Sequence, residues 1–242
     1  MTRQERRDIV FTERETQPLQ AHAQYALRCL LRAWLEFEQE LFKVPIVRRI
    51  EMGTLRKEEY LRLLRNLRAQ VVEGARWITR AASSFDREYA DVRSLVIEHA
   101  RDEHRDYQLL EQDYVALGGT LDKILAADRN LGSEALHSFL MYRASLPNPV
   151  DMLGAMFIIE GLGEKMASGW AEKVANQMDT KPGELGTQFM FYHGQNDEHH
   201  MSRFYQLLND VVASEEMADR VVKTARVVGR LYCMQLVELD NA

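Results

Sequence analysis

Three ionisable side chains lie on one face of a predicted helix near the end of the chain. His193, Asp197 and His200 are spaced by four and three residues, and at 100° per residue this spacing keeps them on one stripe. The stripe is apolar at both ends, with Phe189 before it and Phe204 after it. A metal ion commonly satisfies buried imidazoles and carboxylates together. We therefore interpret the motif as metal-binding; the alternative is local hydrogen bonding, with His200 facing solvent.

A second predicted helix, much earlier in the chain, repeats this arrangement. His99, Glu103 and Asp106 have the same four-then-three spacing and lie between Leu95 and Leu110. If the two helices faced each other, six potential ligands would share one cavity. The alternative is a charged surface helix with local ion pairs. That alternative does not explain why His99 and Asp106 lie between two leucines.

Two single glutamates are further ligand candidates. Glu160 follows the apolar run 156–159, where a charge is costly unless it is paired or bound to a cation. A structural salt bridge is the alternative for Glu160. Glu73 lies on a face that is only half apolar, so an ion pair with Arg76 or Arg80 competes with metal binding there.

The ligand types indicate which metal the site would hold. Mixed imidazole and carboxylate ligation favours Fe(II) or Mn(II) over structural zinc, which would want more thiolate. The predicted pocket walls are Leu95, Met156, Phe157, Phe189, Met190 and Phe204. Methionine and aromatic residues are usually plain core, so these walls identify no substrate. Beyond the ligands, the sequence identifies no catalytic residue.

The elements that position these residues are predicted to be helices. The periodic segments cover residues 19–42, 44–51, 55–82, 89–117, 121–127, 133–145, 149–176, 184–211 and 214–239. Helix stop and start signals separate them, such as Gly118-Gly119-Thr120 and Asn148-Pro149. No period-two run with turn residues indicates a sheet. We predict a single all-α domain over residues 1–242, a bundle of about seven to nine helices, with residues 1–17 as a loosely packed N-terminal segment.

Composition limits the classes of partner. The 242 residues carry a net charge of −6 with no long basic run, so neither nucleic acid nor an anionic membrane is expected as a partner. No apolar stretch approaches the length of a spanning helix, and Met1–Glu15 lacks the apolar region of a secretion signal. Cys29 and Cys233 lie far apart, which predicts no disulfide and a cytoplasmic location. The amphipathic segments 19–42 and 214–239 could bury a homodimer face.

Three segments resemble a known superfamily. Residues 41–60 resemble the early helix–turn–helix of the heme-oxygenase/TenA-like superfamily, and residues 99–118 resemble its next block. The motif His193-x3-Asp197-x2-His200 is similar to the final ligand motif of the di-iron oxidase and oxygenase branch. The resemblance covers nearly the whole chain in helix order, and its last motif is the specific one. It implies a heme-oxygenase-like helical bundle.

The resemblance to the di-iron branch also implies a function. It implies two iron ions without heme, O2 activation, and a small amine, amino acid or fatty acid as substrate. That branch places a carboxylate seven residues before a histidine, whereas His99 and Asp106 stand here in the reverse order. The number of metal ions that the site would hold, two, one or none, is therefore left open. Glu160 matches the single carboxylate of the middle helix, and Glu73 matches an extra carboxylate of some members. The implied ligands are His193, Asp197, His200, His99, Asp106 and Glu160. Either Glu103 or Glu73 would bridge the metals or lie beside the ligands without binding a metal.

Other branches of the superfamily are alternatives. A heme oxygenase would need an axial histidine on the first helix, where His22 stands in a polar context. A thiaminase-like TenA enzyme would need a mid-chain cysteine, and none lies between Cys29 and Cys233. A metal-free TenA- or PqqC-like protein of ligand binding or cofactor metabolism stays open. A ferritin-like carrier would need two Glu-x2-His pairs.

Overall fold

The computed structural model describes residues 19–241, and at Glu198 it describes the backbone alone. The predicted loose segment 1–17 lies outside the described residues. Across residues 19–241 the chain forms helices, turns and connecting loops, and no strand, which confirms the all-α fold class.

Twelve α-helices make up most of the described chain. They are α1 Ala21–Leu41, α2 Pro45–Met52, α3 Lys57–Val71, α4 Gly74–Ser84, α5 Ala90–Asp102, α6 Tyr107–Ala116, α7 Leu121–Leu125, α8 Leu131–Ala144, α9 Met152–Leu162, α10 Ser168–Met178, α11 Gln188–Val211 and α12 Glu215–Val237. Short 3-10 turns lie at Arg87–Tyr89, Glu103–Arg105 and Glu238–Asp240, and Gly163–Ala167 is π-helical.

Three predicted helices are interrupted in the structure. The segment predicted over 55–82 divides into α3 and α4, which meet at residues 72–73. The segment predicted over 89–117 divides at the 3-10 turn Glu103–Arg105, where the tighter hydrogen bonding breaks the α-helical register. The segment predicted over 149–176 contains the π-helical turn between α9 and α10. Each of these interruptions falls at or close to a candidate ligand, namely Glu73, Glu103 or Glu160.

Helix α9 runs through the centre of the bundle. Ten of its eleven residues are apolar or glycine, and nearly all are buried, as expected for a helix that is hydrophobic on every side. Aromatic contacts connect its neighbours: the Phe157 ring lies 6.2 Å from Trp34 of α1 and 5.2 Å from Phe204 of α11. No helix within residues 19–241 has the length and apolar character needed to cross a bilayer.

A buried carboxylate fixes the start of α11. Asp113 of α6 is fully buried and accepts hydrogen bonds from the backbone N–H groups of Gly186, Gln188 and Phe189 at 2.8, 3.1 and 3.0 Å. The Tyr60 hydroxyl of α3 donates to the Gly186 carbonyl at 2.9 Å. A carboxylate at a helix N-terminus satisfies N–H groups that have no partner within the helix. This anchor sets where α11 presents its histidines.

Candidate metal centre

Seven of the eight predicted ligands meet inside the bundle. We call this set the cluster, and it comprises His99, Glu103, Asp106, Glu160, His193, Asp197 and His200. They come from α5, the 3-10 turn after it, the N-cap position of α6, α9 and α11. Five of the seven are buried, and the side chains of Glu103 and His193 are 13% and 12% exposed. Several ionisable groups gathered out of water require protons or a cation to balance them.

The cluster contains two sets of converging ligand atoms. One set joins His99, Glu103, Glu160 and His200, and the other joins Glu103, Asp106 and His193, with all atoms of a set within 4.8 Å of one another. Glu103 belongs to both sets. A carboxylate has two oxygens, so a residue shared in this way is suited to bridge two adjacent cations.

The first set is held together by Glu160. Its Oε2 lies 2.9 Å from His200 Nδ1, and its Oε1 lies 3.3 Å from His99 Nε2. The two imidazole rings meet edge to face, with centroids 4.7 Å apart. Burial acts to raise the pKa of Glu160, but the hydrogen bonds from His200 and His99 lower it further than burial raises it. Glu160 is therefore an ionised carboxylate between two imidazoles.

The second set has buried polar atoms without partners. Among the described residues, Glu103 Oε1, Asp106 Oδ2 and His193 Nε2 make no hydrogen bond, although His193 Nε2 lies 3.5 Å from Asp106 Oδ2. Orphaned buried groups are rare and costly in native proteins. A divalent cation would satisfy two carboxylate oxygens and an imidazole nitrogen at once, so the residues of this set fit a metal ion.

The carboxylates of the second set resist ionisation. Burial, reinforced by the charge of Glu160, raises the pKa of Glu103 to about 7. Burial also raises the pKa of Asp106, against the opposing effect of His193. Without a cation nearby, these two groups hold protons more readily than exposed carboxylates do.

The two imidazoles of α11 favour the charged form. Burial acts to lower the pKa of His193, but the hydrogen bond to Asp197 and the neighbouring carboxylates raise it to about 9. Burial likewise opposes protonation of His200, while hydrogen bonds to Asp197 and Glu160 raise its pKa to about 11. The metal-free cluster is therefore balanced by protons, which a metal would displace.

Asp197 lies beside the two sets and belongs to neither. Its Oδ1 is 3.1 Å from His193 Nδ1 and 3.6 Å from His200 Nδ1. The His193 ring therefore has its Nδ1 against the Asp197 carboxylate and its Nε2 toward Asp106. A carboxylate that holds the second nitrogen of a histidine orients the ring for metal binding. The sequence predicts Asp197 as a direct ligand, and this geometry favours an orienting role.

Two glycines allow α11 to approach the segment after α9. Gly163 begins the π-helical turn, and a Cβ at this position would overlap the Asp197 carboxylate. Gly194 faces Ser168 so closely that a Cβ there would overlap the Ser168 backbone. Turns of π-helix occur often at functional sites. Sequence reasoning missed both glycines, because they contribute no chemistry and become informative only when the neighbouring helix is seen.

Glu73 is the predicted ligand that the structure does not bring to the cluster. It precedes α4 at the break after α3, so the continuous helical face assumed for it does not exist. Its oxygens accept hydrogen bonds from Arg76 at 2.8 and 3.0 Å, and Arg129 lies 3.8 Å away. The ion pair with Arg76, considered from the sequence as the alternative, is present.

A cavity of about 110 Å³ adjoins the cluster. Of the predicted wall residues, Phe189 and Met190 line it, whereas Met156 lines a second, apolar cavity of about 50 Å³ that also contacts His99. Leu95, Phe157 and Phe204 line neither cavity, and the last two are fully buried core residues. An apolar stripe on one helix also packs against neighbouring helices, and these three side chains pack in that way.

Helices without ligands contribute many wall residues to the 110 Å³ cavity. They include Gln70 of α3, Trp77 of α4, Trp170 of α10 and Tyr232 of α12. Trp170 is fixed in place because its indole N–H donates to Glu51 Oε1 at 2.9 Å. No sequence signal marked these residues, since each resembles an ordinary core position of its own helix.

Residues considered for other branches lie elsewhere. His22 is exposed at the start of α1. Cys29 and Cys233 are free thiols on α1 and α12, partly buried, and neither belongs to the cluster.

No family model matches the sequence, and no curated protein matches it.

Solved structures nevertheless share its fold. A domain of unknown function with a heme oxygenase-like fold from Shewanella denitrificans superimposes with a TM-score of 0.79 at 17% identity, covering 89% of this chain and 91% of that chain. A TenA homologue from Pseudomonas syringae gives a TM-score of 0.75 at 13% identity, covering 94% and 98%. Heme oxygenase-1 from the cyanobacterium Synechocystis, in complex with heme, gives 0.67 at 17% identity, covering 91% and 92%. The chain therefore has the heme oxygenase-like/TenA fold.

Proposed function

We propose that this heme oxygenase-like chain is an O2-activating, non-heme di-iron oxidoreductase that acts on a small organic substrate. The observation that carries the proposal is the place of Glu103 in two adjacent ligand sets, one with His99, Glu160 and His200 and the other with Asp106 and His193. Mixed nitrogen and oxygen donors on inward-facing helices suit a pair of iron or manganese ions.

The protein residues would have distinct tasks. Bound ferrous ions would supply the electrons for O2 reduction. Glu160 enters already ionised between His99 and His200, while Glu103 and Asp106 would release protons when a cation binds. Asp197 holds His193 in the orientation that presents Nε2. The apolar walls beside the cluster keep bulk water from a bound substrate.

Metal stoichiometry tests the proposal directly. Full-length protein is loaded with Fe(II) without oxygen, separated from free metal, and analysed for iron and protein. We expect about two irons per chain, and much less for Glu103→Gln, which removes the shared carboxylate. Glu73→Gln is the matched control, because Glu73 pairs with Arg76 outside the cluster, and it should retain the wild-type content. A wild-type protein without stoichiometric iron would contradict the proposal.

A metal-free role in ligand binding or cofactor metabolism is the second candidate. It is favoured by the first ligand set, in which the two oxygens of Glu160 already contact one nitrogen each of His99 and His200 without a cation. The reverse order of His99 and Asp106 also points this way. This candidate predicts no iron in the same assay, for the wild type and for Glu103→Gln alike.

The proposal has three further parts. The partners are O2 and a small molecule, no heme is required, and the working assembly is a homodimer. The location proposed is the cytoplasm, where two distant free cysteines such as Cys29 and Cys233 would stay reduced.

A further inference from the structure

The 110 Å³ cavity beside the cluster has an unusual charge distribution. Within the described chain, every charged side chain that lines it belongs to the cluster, namely Glu103, Glu160, His193 and Asp197. No lysine or arginine lines it, and Trp77, Trp170 and Met190 supply apolar surface. A charged group of a ligand that lies against these walls away from the cluster would be buried without a partner, which is strongly unfavourable. With metal bound, the carboxylates of the cluster would already be engaged.

Two polar groups of the cavity lie outside the cluster. Gln70 receives a hydrogen bond on its Oε1 from Gln235 Nε2 at 2.6 Å, and Gln235 is fully buried. This contact fixes the Gln70 amide and leaves its NH2 group without a partner among the described residues. The Tyr232 hydroxyl also has no hydrogen-bond partner there. Few oriented polar groups in an otherwise apolar pocket usually set ligand specificity.

The size of the cavity limits the ligand. It is somewhat smaller than the roughly 150 Å³ apolar cavity that admits benzene. A short branched chain fits these dimensions and a compact ring would reach into the cavity mouth, whereas a long extended chain would have to leave through that mouth.

We propose that the cavity selects a compact, uncharged and mostly apolar substrate bearing one oxygen atom, which accepts a hydrogen bond from the Gln70 amide beside Tyr232. This inference rests on the proposed function in taking the cavity as its substrate site. The inference disfavours zwitterionic amino acids as substrates, because at most one of their two charges would find charged partners, and those partners lie in the cluster.

Calorimetry with a matched set of small probes tests the inference. Cyclohexanol and cyclohexylammonium have the same ring and the same number of non-hydrogen atoms, and cyclopentanecarboxylate supplies a negative charge at similar size. With full-length protein loaded with Mn(II), we expect cyclohexanol to bind at least about tenfold more tightly than either ion. Equal or tighter binding of either ion would overturn the inference.

Variants of Gln70 report the hydrogen bond separately. Gln70→Leu should weaken cyclohexanol binding several-fold, and Tyr232→Phe should weaken it less. Gln70→Glu keeps the shape and the contact with Gln235 but adds a charge, so the preference should change to cyclohexylammonium. Circular dichroism confirms that each variant is folded. Unchanged probe preference in a folded Gln70→Glu would overturn the inference.

The same titrations without metal separate this inference from the proposed function. If the protein takes up no metal but binds cyclohexanol through Gln70, the cavity inference stands and the di-iron proposal fails. If metal binds stoichiometrically and the probes bind without regard to charge or to Gln70, the cavity inference alone fails.

Discussion

Gly163 lies directly against the carboxylate of Asp197, and there is no room for a side chain between them. Gly163 begins the π-helical turn that follows Glu160, while Asp197 lies midway along α11. Asp197 in turn holds Nδ1 of His193 at 3.1 Å. The contact therefore connects the backbone after α9 to the orientation of a candidate metal ligand.

Replacing this glycine should damage metal binding more than folding. Gly163→Ala would push the Asp197 carboxylate away and free the His193 ring. Loss of such an orienting partner typically lowers metal affinity by about 10–100-fold. Gly169→Ala is the matched control, because a Cβ at position 169 would lie in open space. The metal affinity of this variant should equal that of the wild type. Competition with a chelator measures the affinities, and equal values for the two variants would refute the proposed orienting role of Asp197.

The two ligand sets should be separable by mutation. Asp106→Asn changes a residue of the second set only, so we expect iron content to fall from about two to about one per chain. Glu160→Gln should have the corresponding effect on the first set. Elemental analysis after anaerobic loading gives the stoichiometry. Complete loss of iron in both variants would show that the sets bind metal as one unit.

Metal-free protein should become less stable as the pH rises from 6 to 9. The pKa of His193 rises from its ordinary 6.5 to about 9 in the folded protein, and that of Glu103 from 4.5 to about 7. A group with a raised folded pKa stabilises fully below its unfolded pKa, and this stabilisation is lost as pH passes its folded pKa. The lowered pKa of Glu160 acts only in acid and does not offset this trend.

Thermal unfolding across that pH range checks the expectation. The melting temperature of metal-free wild type should fall, and His193→Gln should show a shallower fall. Metal affinity should change in the opposite direction and increase with pH, because ligation displaces protons. A melting temperature that rises steadily toward pH 9 would contradict the assignment of a protonated His193.

The anchor at the start of α11 should contribute to global stability. Asp113→Asn replaces a carboxylate that accepts three backbone N–H groups with an amide whose NH2 faces the same donors. We expect a loss of about 1–3 kcal/mol in the free energy of unfolding. Asp122→Asn, at an exposed position on α7, should change it by less than about 0.5 kcal/mol. Urea denaturation measures both, and similar values would exclude the anchoring role.

Local sequence was sufficient to find most of the candidate ligands. His193, Asp197 and His200 were recognisable because helical periodicity alone places them on one stripe between phenylalanines. Glu160 was recognisable because a charge follows four apolar residues on a buried helix. Such patterns depend on neighbours within a turn or two of the same helix, and for that reason a single sequence can reveal them.

Tertiary structure alone decided how these side chains are arranged. Glu103 belongs to both ligand sets because it lies in a 3-10 turn, within a segment that periodicity predicts to be one continuous helix. The exclusion of Glu73 from the cluster depends on the break between α3 and α4. Some of the cavity walls come from helices that carry no ligand. Distances between helices are set by packing of the whole core, as at Gly163, and the sequence of one helix does not encode where its neighbours lie.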